Sequence, residues 1–300
     1  MIFSTRANYY PKISIVVPAY NASKTIDRCV QSLLKQNYKN YEIIIVDDSS
    51  TDNTSELIKK YPVKLLKTPK NSGAGAARNI GIESSRGEII AFTDSDCIAL
   101  ENWLEEMVNT FIKLPEASAI GGGVLNVNVD IISWADYFSN FSEFIPTGTI
   151  REMRTIPTLN IAYKMEKLNG LRFLNLSNTE DTILNMQFRE KGNKIFFNPN
   201  LLIKHNHRRV DLKSYLLKQE FYGKWFVYSR IHYNLPGKKL IKYKYLFLLF
   251  PRIVLIIKRI IKTKYIIKFI KTLPIVFLGE ISRTKAIFYN LRTFNIYTTF

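Results

Sequence analysis

Cysteine, histidine and, in the last third of the chain, acid are scarce. Two cysteines, Cys29 and Cys97, in 300 residues cannot build a disulfide framework, and with three histidines they form no CxxC or Cys/His metal pattern. A reducing compartment is therefore expected. No run reaches the ~18 uninterrupted apolar residues of a standard membrane-crossing helix, and the first dozen residues hold no apolar segment fit for a signal peptide. Residues 1–200 carry 22 Lys+Arg and 22 Asp+Glu, whereas residues 201–300 carry 21 and 3, so the whole excess of +18 lies in the last hundred. Such asymmetry suits an anionic membrane surface or nucleic acid as a partner of the second part. A hydrophobic content of 46% with 23% charged residues excludes global disorder.

What is present is a repeated unit of strand, polar tip and helix. Ile13–Val17 runs into Pro18-Ala19-Tyr20-Asn21, where Pro is expected to stop the ladder and Asn to turn the chain. Ser23 is expected to cap the helix that follows. Tyr41–Val46 ends in Asp47-Asp48-Ser49-Ser50 before a helix through Ile58, and Val63–Leu66 precedes Asn71-Ser72-Gly73-Ala74-Gly75, which opens a helix of small residues bearing Arg78 and Asn79. The fourth strand, Ile89–Phe92, leads to Thr93-Asp94-Ser95-Asp96. This alternation predicts an α/β fold with a mostly parallel, Rossmann-like sheet flanked by helices, its polar tips gathered on one edge.

Asp94 and Asp96 have no basic residue beside them in sequence. Two carboxylates so placed repel each other unless a cation joins them, and hard oxygen ligands suit Mg²⁺ or Mn²⁺. The other reading is a strand-end turn. His205 and His207 follow an apolar strand at i, i+2 and share one direction, so either could add a ligand, His205 in preference, or both could be structural. Trp103, Leu104, Met107, Val108 and Phe111 have the spacing of a core helix. Gly121-Gly122-Gly123 marks a strand and not a phosphate loop, because no Lys-Ser/Thr follows. Trp134, Tyr137, Phe138, Phe141 and Phe144 could stack on a sugar or lipid, but a helix face is preferred.

Taken in order, Ile-Val-Val-Pro-Ala-Tyr-Asn (15–21), Ile-Val-Asp-Asp-Ser-Ser-Thr-Asp-Asn-Thr (45–54), Asn-Ser-Gly-Ala-Gly-Ala-Ala-Arg-Asn-Ile-Gly (71–81) and Thr-Asp-Ser-Asp (93–96) resemble the inverting family 2 glycosyltransferases of GT-A fold. The resemblance spans roughly residues 12–112 and resumes at 158–190, where Asn160-Ile-Ala and Glu180-Asp181 are similar to the family's acceptor-side segment and Glu-Asp motif. It implies that Pro18, Tyr20, Asn21, Asp48, Arg78, Asp94 and Ser95 bind the nucleotide sugar, with Asp48 accepting from the base. It also implies that Asn160 and Glu180 lie on the acceptor side. Asp-Asp-Ser replaces the commoner Asp-Asp-Gly, and the Gln-x-x-Arg-Trp motif of processive members is missing, which points to a non-processive enzyme.

Sugar transfer requires stabilisation of the departing pyrophosphate and a base for the incoming hydroxyl. Asp96, Asp94 and His205 are expected to hold Mn²⁺ or Mg²⁺ for the first task, and Asp181 to serve as the base, giving a single displacement with inversion. Glu180 and Asp181 could otherwise be an acid pair favoured by a helix N-terminus. The expected domains are a GT-A domain over 1–207, with a nucleotide-sugar half (12–112) and an acceptor half (113–207), and a basic amphipathic helical region over 208–300. Residues 243–273, including Leu248, Phe250, Ile253, Ile256 and Ile257, are expected to lie on an anionic membrane surface. The expected enzyme is a peripheral one at the cytoplasmic face of the cell membrane, moving sugar from a UDP-sugar to a lipid-linked or surface-glycan acceptor, with no nucleic-acid partner. A nucleotidyltransferase, or a non-catalytic basic membrane- or nucleic-acid-binding protein, is the alternative.

Overall fold

The structure is a computed structural model that describes residues 10–206, 211–233, 235 and 246–297. It divides into two compact units, one of residues 10–125 with 146–205, the other of 126–145 with the described residues from 206 onward. The second unit therefore takes 126–145 out of the stretch expected to be the acceptor half. The physical reason is aromatic: Trp134, Tyr137 and Phe138 meet the rings of Tyr265 and Phe269, far along the chain.

In the first unit β1 (Ile13–Ala19), α1 (Ile26–Leu34), β2 (Tyr41–Asp47), α2 (Thr54–Ile58), β3 (Lys64–Lys67), α3 (Ala74–Ser84) and β4 (Ile89–Phe92) follow the expected alternation. β1 pairs in parallel with both β2 and β4, and β2 with β3. All of β1 and β4 is buried, as strands covered on both faces should be. β1 runs past Pro18 to Ala19, contrary to expectation. Val16 offers its carbonyl to Thr93 N on the β4 side, so Pro18, two residues on, turns its missing N–H to that same edge, where β4 has already ended. Helix α1 starts at Ile26, and Ser23 does not cap it; the Ser23 amide donates instead to Asp52 Oδ2 at 3.1 Å.

β5 (Cys97–Ala99), α4 (Trp103–Lys113), β6 (Ala119–Asn126), α5 (Ile131–Phe141, in the second unit), β7 (Arg151–Met153), β8 (Ile161–Lys164), α6 (Met165–Leu168), α7 (Glu180–Glu190) and β9 (Ile195–His205) complete the N-terminal two thirds. The sheet order is β3-β2-β1-β4-β8-β6-β9-β5, with β7 on β9. β8 is antiparallel to β4 and β6, and β9 to β5 and β7. The sheet is thus mixed, not mostly parallel: the strand-helix repeat ends at β4. Gly81 packs α3 onto β1, where a Cβ would lie 2.3 Å from Val16 Cγ1.

The second unit joins α5 to α8 (Leu212–His232), α9 (Leu246–Ile260) and α10 (Ile266–Tyr297), with α10 packed on α8, α5 and α9. Gly279 admits the Tyr215 ring, and Gly223 the Arg283 carbonyl. Ile256 is 2% exposed, so it belongs to the bundle and not to an external surface as expected. Ile253 and Ile257 are half-buried, and the side chains of Leu248 and Phe250 lie outside the description. The exposed apolar residues between Val254 and Leu278 are instead Val254, Leu255, Ile261, Ile267, Ile270, Phe277 and Leu278. Among the described residues no helix is long and apolar enough to cross a membrane.

Candidate active site

The polar tips of β1, β2 and β4 are organised by hydrogen bonds between loops. Asn21, at φ 46°, accepts from Thr51 N at 2.9 Å and gives its own amide to Ser50 Oγ at 3.0 Å. Pro18 is buried in β1, and Tyr20 beside it is 44% exposed. Asp48 is 3% exposed and accepts from Thr68 Oγ1 (2.8 Å), Ser72 N (2.9 Å) and Gly73 N (2.7 Å). Its carboxylate therefore holds the β3–α3 loop, a task the sequence did not suggest. Asp47 is fully buried, accepting from Ser50 N and Ser55 Oγ.

Arg78, 4% exposed, joins two parts of the chain 102 residues apart. Its Nη2 meets Asp94 Oδ1 and its Nη1 meets Glu180 Oε1, both at 2.9 Å, with the Phe173 ring 5.5 Å from its carbon. Asn79 pins that ring's backbone, donating to Phe173 O at 2.8 Å and accepting from Phe173 N at 2.9 Å. The segment before α7 is thereby fastened to α3. Burial works against the Arg78 charge, but Asp94 and Glu180 outweigh it and hold the guanidinium protonated.

Thr179 enters α7 in the left-handed region at φ 68°, costly for a β-branched residue, and places Glu180 and Asp181 in the first turn. Asp181 accepts from Thr182 N at 2.6 Å. Burial raises the Asp181 carboxyl above its ordinary range, with Arg78 opposing; burial and the Asp181 charge raise Glu180 in the same direction. A helix N-terminus favours acids, yet here the acids lie in surroundings that disfavour ionisation, as suits a base.

β5 and β9 pair Cys97 with His205 and so bring His205 Nε2 within 3.5 Å of Asp96 Oδ1. Donor atoms of Asp96, Cys97 and His205 all lie within 4.8 Å of one another. Burial, then the charges of Asp96 and Asp94, push the Cys97 thiol well up. Asp96 and His205 present an oxygen and a nitrogen donor side by side, of which the carboxylate suits Mn²⁺ or Mg²⁺. Asp94 lies outside this group, and its carboxylate faces Arg78. Ser95 is buried between the two acids. His207 lies outside the described residues.

Asn160 is engaged on every side. It is 0% exposed; its Oδ1 accepts from Trp103 Nε1 at 2.9 Å and its Nδ2 donates to Gly123 O and Leu201 O. All its polar capacity fastens α4, β6 and β9, so it faces core and not an acceptor.

The family description "Glycosyl transferase family 2" matches residues 14–165. Glycosyltransferase GlyG of Streptococcus pneumoniae is 31% identical over 211 residues, covering 64% of this chain and 69% of that protein. The Escherichia coli UDP-Glc:alpha-D-GlcNAc-diphosphoundecaprenol beta-1,3-glucosyltransferase WfgD is 39% identical over 104 residues, 34% of this chain and 41% of that one. The chain spans about half or less of the length of several such relatives. Among solved structures, the mannosyltransferase PcManGT from Pyrobaculum calidifontis, in complex with GDP-Man and Mn²⁺, aligns at a TM-score of 0.62 with 16% identity, over 94% of this chain and 88% of that one. S. aureus TarS in complex with UDP-GlcNAc aligns at 0.56 with 19% identity, over 95% and 91%. At these identities the structural likeness carries the fold alone.

Proposed function

The chain belongs to glycosyl transferase family 2, and from that premise we propose a metal-dependent, inverting, non-processive transferase that moves a sugar from a UDP-sugar to a lipid-linked glycan. One observation carries the reading: Arg78 ties the Asp94 tip of β4 to the Glu180-Asp181 turn of α7, beside the Asp96–His205 pair. A base, a fixed cation and a pair of metal donors are the parts that nucleoside-diphosphate departure and hydroxyl attack require.

Asp96 and His205 would hold the divalent ion, which as a Lewis acid offsets charge on the leaving pyrophosphate. Asp181 takes the proton of the acceptor hydroxyl as its oxygen attacks the anomeric carbon, and the bond to the diphosphate breaks on the opposite face. One displacement inverts the centre. Arg78 holds Glu180 beside it, so that the α7 turn presents Asp181 in one position. Pro18, Tyr20 and Asn21 would receive the nucleotide, with Asp48 shaping the loop over it.

Supporting a lipid-linked acceptor are the activity named for the E. coli relative and the surface of the helical unit. Exposed Lys258, Lys262 and Lys271 lie among Val254, Leu255, Ile261, Ile267, Ile270, Phe277 and Leu278, the composition of a peripheral membrane-binding face. A cytoplasmic membrane face follows as the proposed location. The test is product analysis with UDP-sugars and a prenyl-diphosphate glycan. Release of UDP with inverted linkage is expected; release of inorganic pyrophosphate would replace transfer of sugar by transfer of nucleotide.

A further inference from the structure

The helical unit buries an unbalanced set of charges that the transfer reaction does not use. Arg252 of α9 meets Glu280 of α10 at 2.7 Å and donates through Nη2 to Ser139 O at 2.5 Å. Arg283 of α10, 8% exposed, donates to Asn140 Oδ1 at 2.7 Å and to Gln219 Oε1, with the Tyr222 ring 5.1 Å away. Arg230 of α8 lies against the Phe226 ring at 3.5 Å and gives Nη1 to the Phe226 carbonyl. Burial, followed by the charge of Arg252, lowers both Arg230 and Arg283 to about 10. Nearby Lys218 is already paired with Asp136 at 3.1 Å. Arg252 thus pairs with the one carboxylate, Arg283 feels the charge of both, and Arg230 feels that of Arg252.

Buried charge without a counter-charge is costly, and the orphaned atoms show what is wanted. Arg283 Nε, Arg230 Nε and Gln219 Nε2 are buried donors without an acceptor among the described residues, and Glu280 Oε1 is a buried acceptor without a donor. Gln219 is 0% exposed and Glu280 1%, whereas the Arg252 side chain is 37% exposed and forms the open end. Donors in excess ask for an oxyanion, and the one empty acceptor asks for an oxyanion that still carries a proton. A phosphomonoester, whose second ionisation lies near pH ~6, meets both demands. A sulfate or a phosphodiester anion has no such proton.

We propose that Arg252, Arg283 and the Gln219 amide, with Arg230 adding charge, form a phosphomonoester site in the helical unit, and that Glu280 selects the protonated ligand. The site goes beyond the transfer chemistry and needs neither donor nor metal. The ligand is a soluble phosphate or the phosphate of a lipid headgroup.

The full chain in EDTA at pH 6.5, titrated calorimetrically with inorganic phosphate and with sulfate, tests this without any variant. Phosphate is expected to bind at least tenfold more tightly than sulfate; equal binding, or none, overturns the proposal. Gln219→Glu supplies an internal anion, so it should raise the melting temperature and weaken phosphate at least tenfold. Phosphate binding unchanged in that variant would also overturn it. Glu280→Gln should abolish the preference for phosphate over sulfate, and a preference that survives would remove Glu280 as the selecting group. Vesicles of phosphatidic acid and phosphatidylglycerol at equal surface charge separate the sources. Preference for phosphatidic acid that free phosphate competes away assigns a lipid headgroup, and phosphate binding without that preference assigns a soluble ligand.

Discussion

The two units bury opposite imbalances of charge. At the sheet edge Asp94, Asp96, Glu180 and Asp181 stand with Arg78 and His205; in the helical bundle Arg252 pairs with Glu280, with Arg283 and Arg230 close enough to feel the Arg252 charge. A surplus of buried acid favours cations and proton uptake, and a surplus of buried base favours oxyanions. Side chains that balance each other hold a fold together, whereas a residual charge of one sign marks where a ligand of the other sign is accommodated. By this measure the sheet unit suits the proposed metal-bound donor, and the helical unit the proposed phosphate ligand.

The comparison breaks most visibly at Asp181. Asp181→Asn should retain donor binding and lose transfer by about 10² or more, the scale of general-base catalysis; single-turnover assays with bound donor check this. Arg78→Met strips the acid cluster of its buried cation and leaves Asp94 and Glu180 uncompensated. A destabilisation of about 3 kcal/mol is expected from breaking a largely buried network, read by urea denaturation, with Arg78→Lys recovering part of it. On the basic side, Lys262→Gln with Lys271→Gln should cost about 2 kcal/mol of binding to anionic vesicles, and high salt should release the wild type only in part because the apolar contacts are not screened. Sedimentation shows both terms.

The smallest effect sharpens the contrast by its sign. Because burial raises the Asp181 carboxyl and a base works only when deprotonated, activity should fall as pH drops through a value above the ordinary carboxylate range of ~4. The Arg78 charge opposes that rise, so residual activity of Arg78→Met should have its ascending limb at higher pH than the wild type. A limb that moves down would contradict the electrostatic account of the pair.

Much of this was legible where local signals agree. β1, β2 and β4 are dense in Ile and Val, each ends in Asp, Asn or Ser, and small residues open α3, so the parallel half and its tips could be read from periodicity and turn chemistry. Of the antiparallel half only β6 and β9 could be read, because β5 and β7 have three residues each and β8 four, too short to show a period. The burial of Asn160 was hidden because a polar residue in a family segment suggests a surface; the counter-signal was Trp103, whose indole N–H needs an acceptor once the helix is read as core. The Arg78–Glu180 contact joins residues 102 apart, and nothing local announces it. The loss of 126–145 to the helical unit was hidden likewise, since its aromatic face was recognised but its partners lie on the far side of β9.

Calorimetric titration of UDP, with and without Mn²⁺, into wild type and Asp96→Ala is the most direct test of the central claim that the acid-rich edge binds a metal-supported nucleotide. The account predicts that Mn²⁺ tightens UDP at least tenfold in the wild type and leaves the variant unchanged, while both melt at similar temperature. Equal UDP affinity in all four titrations would contradict it.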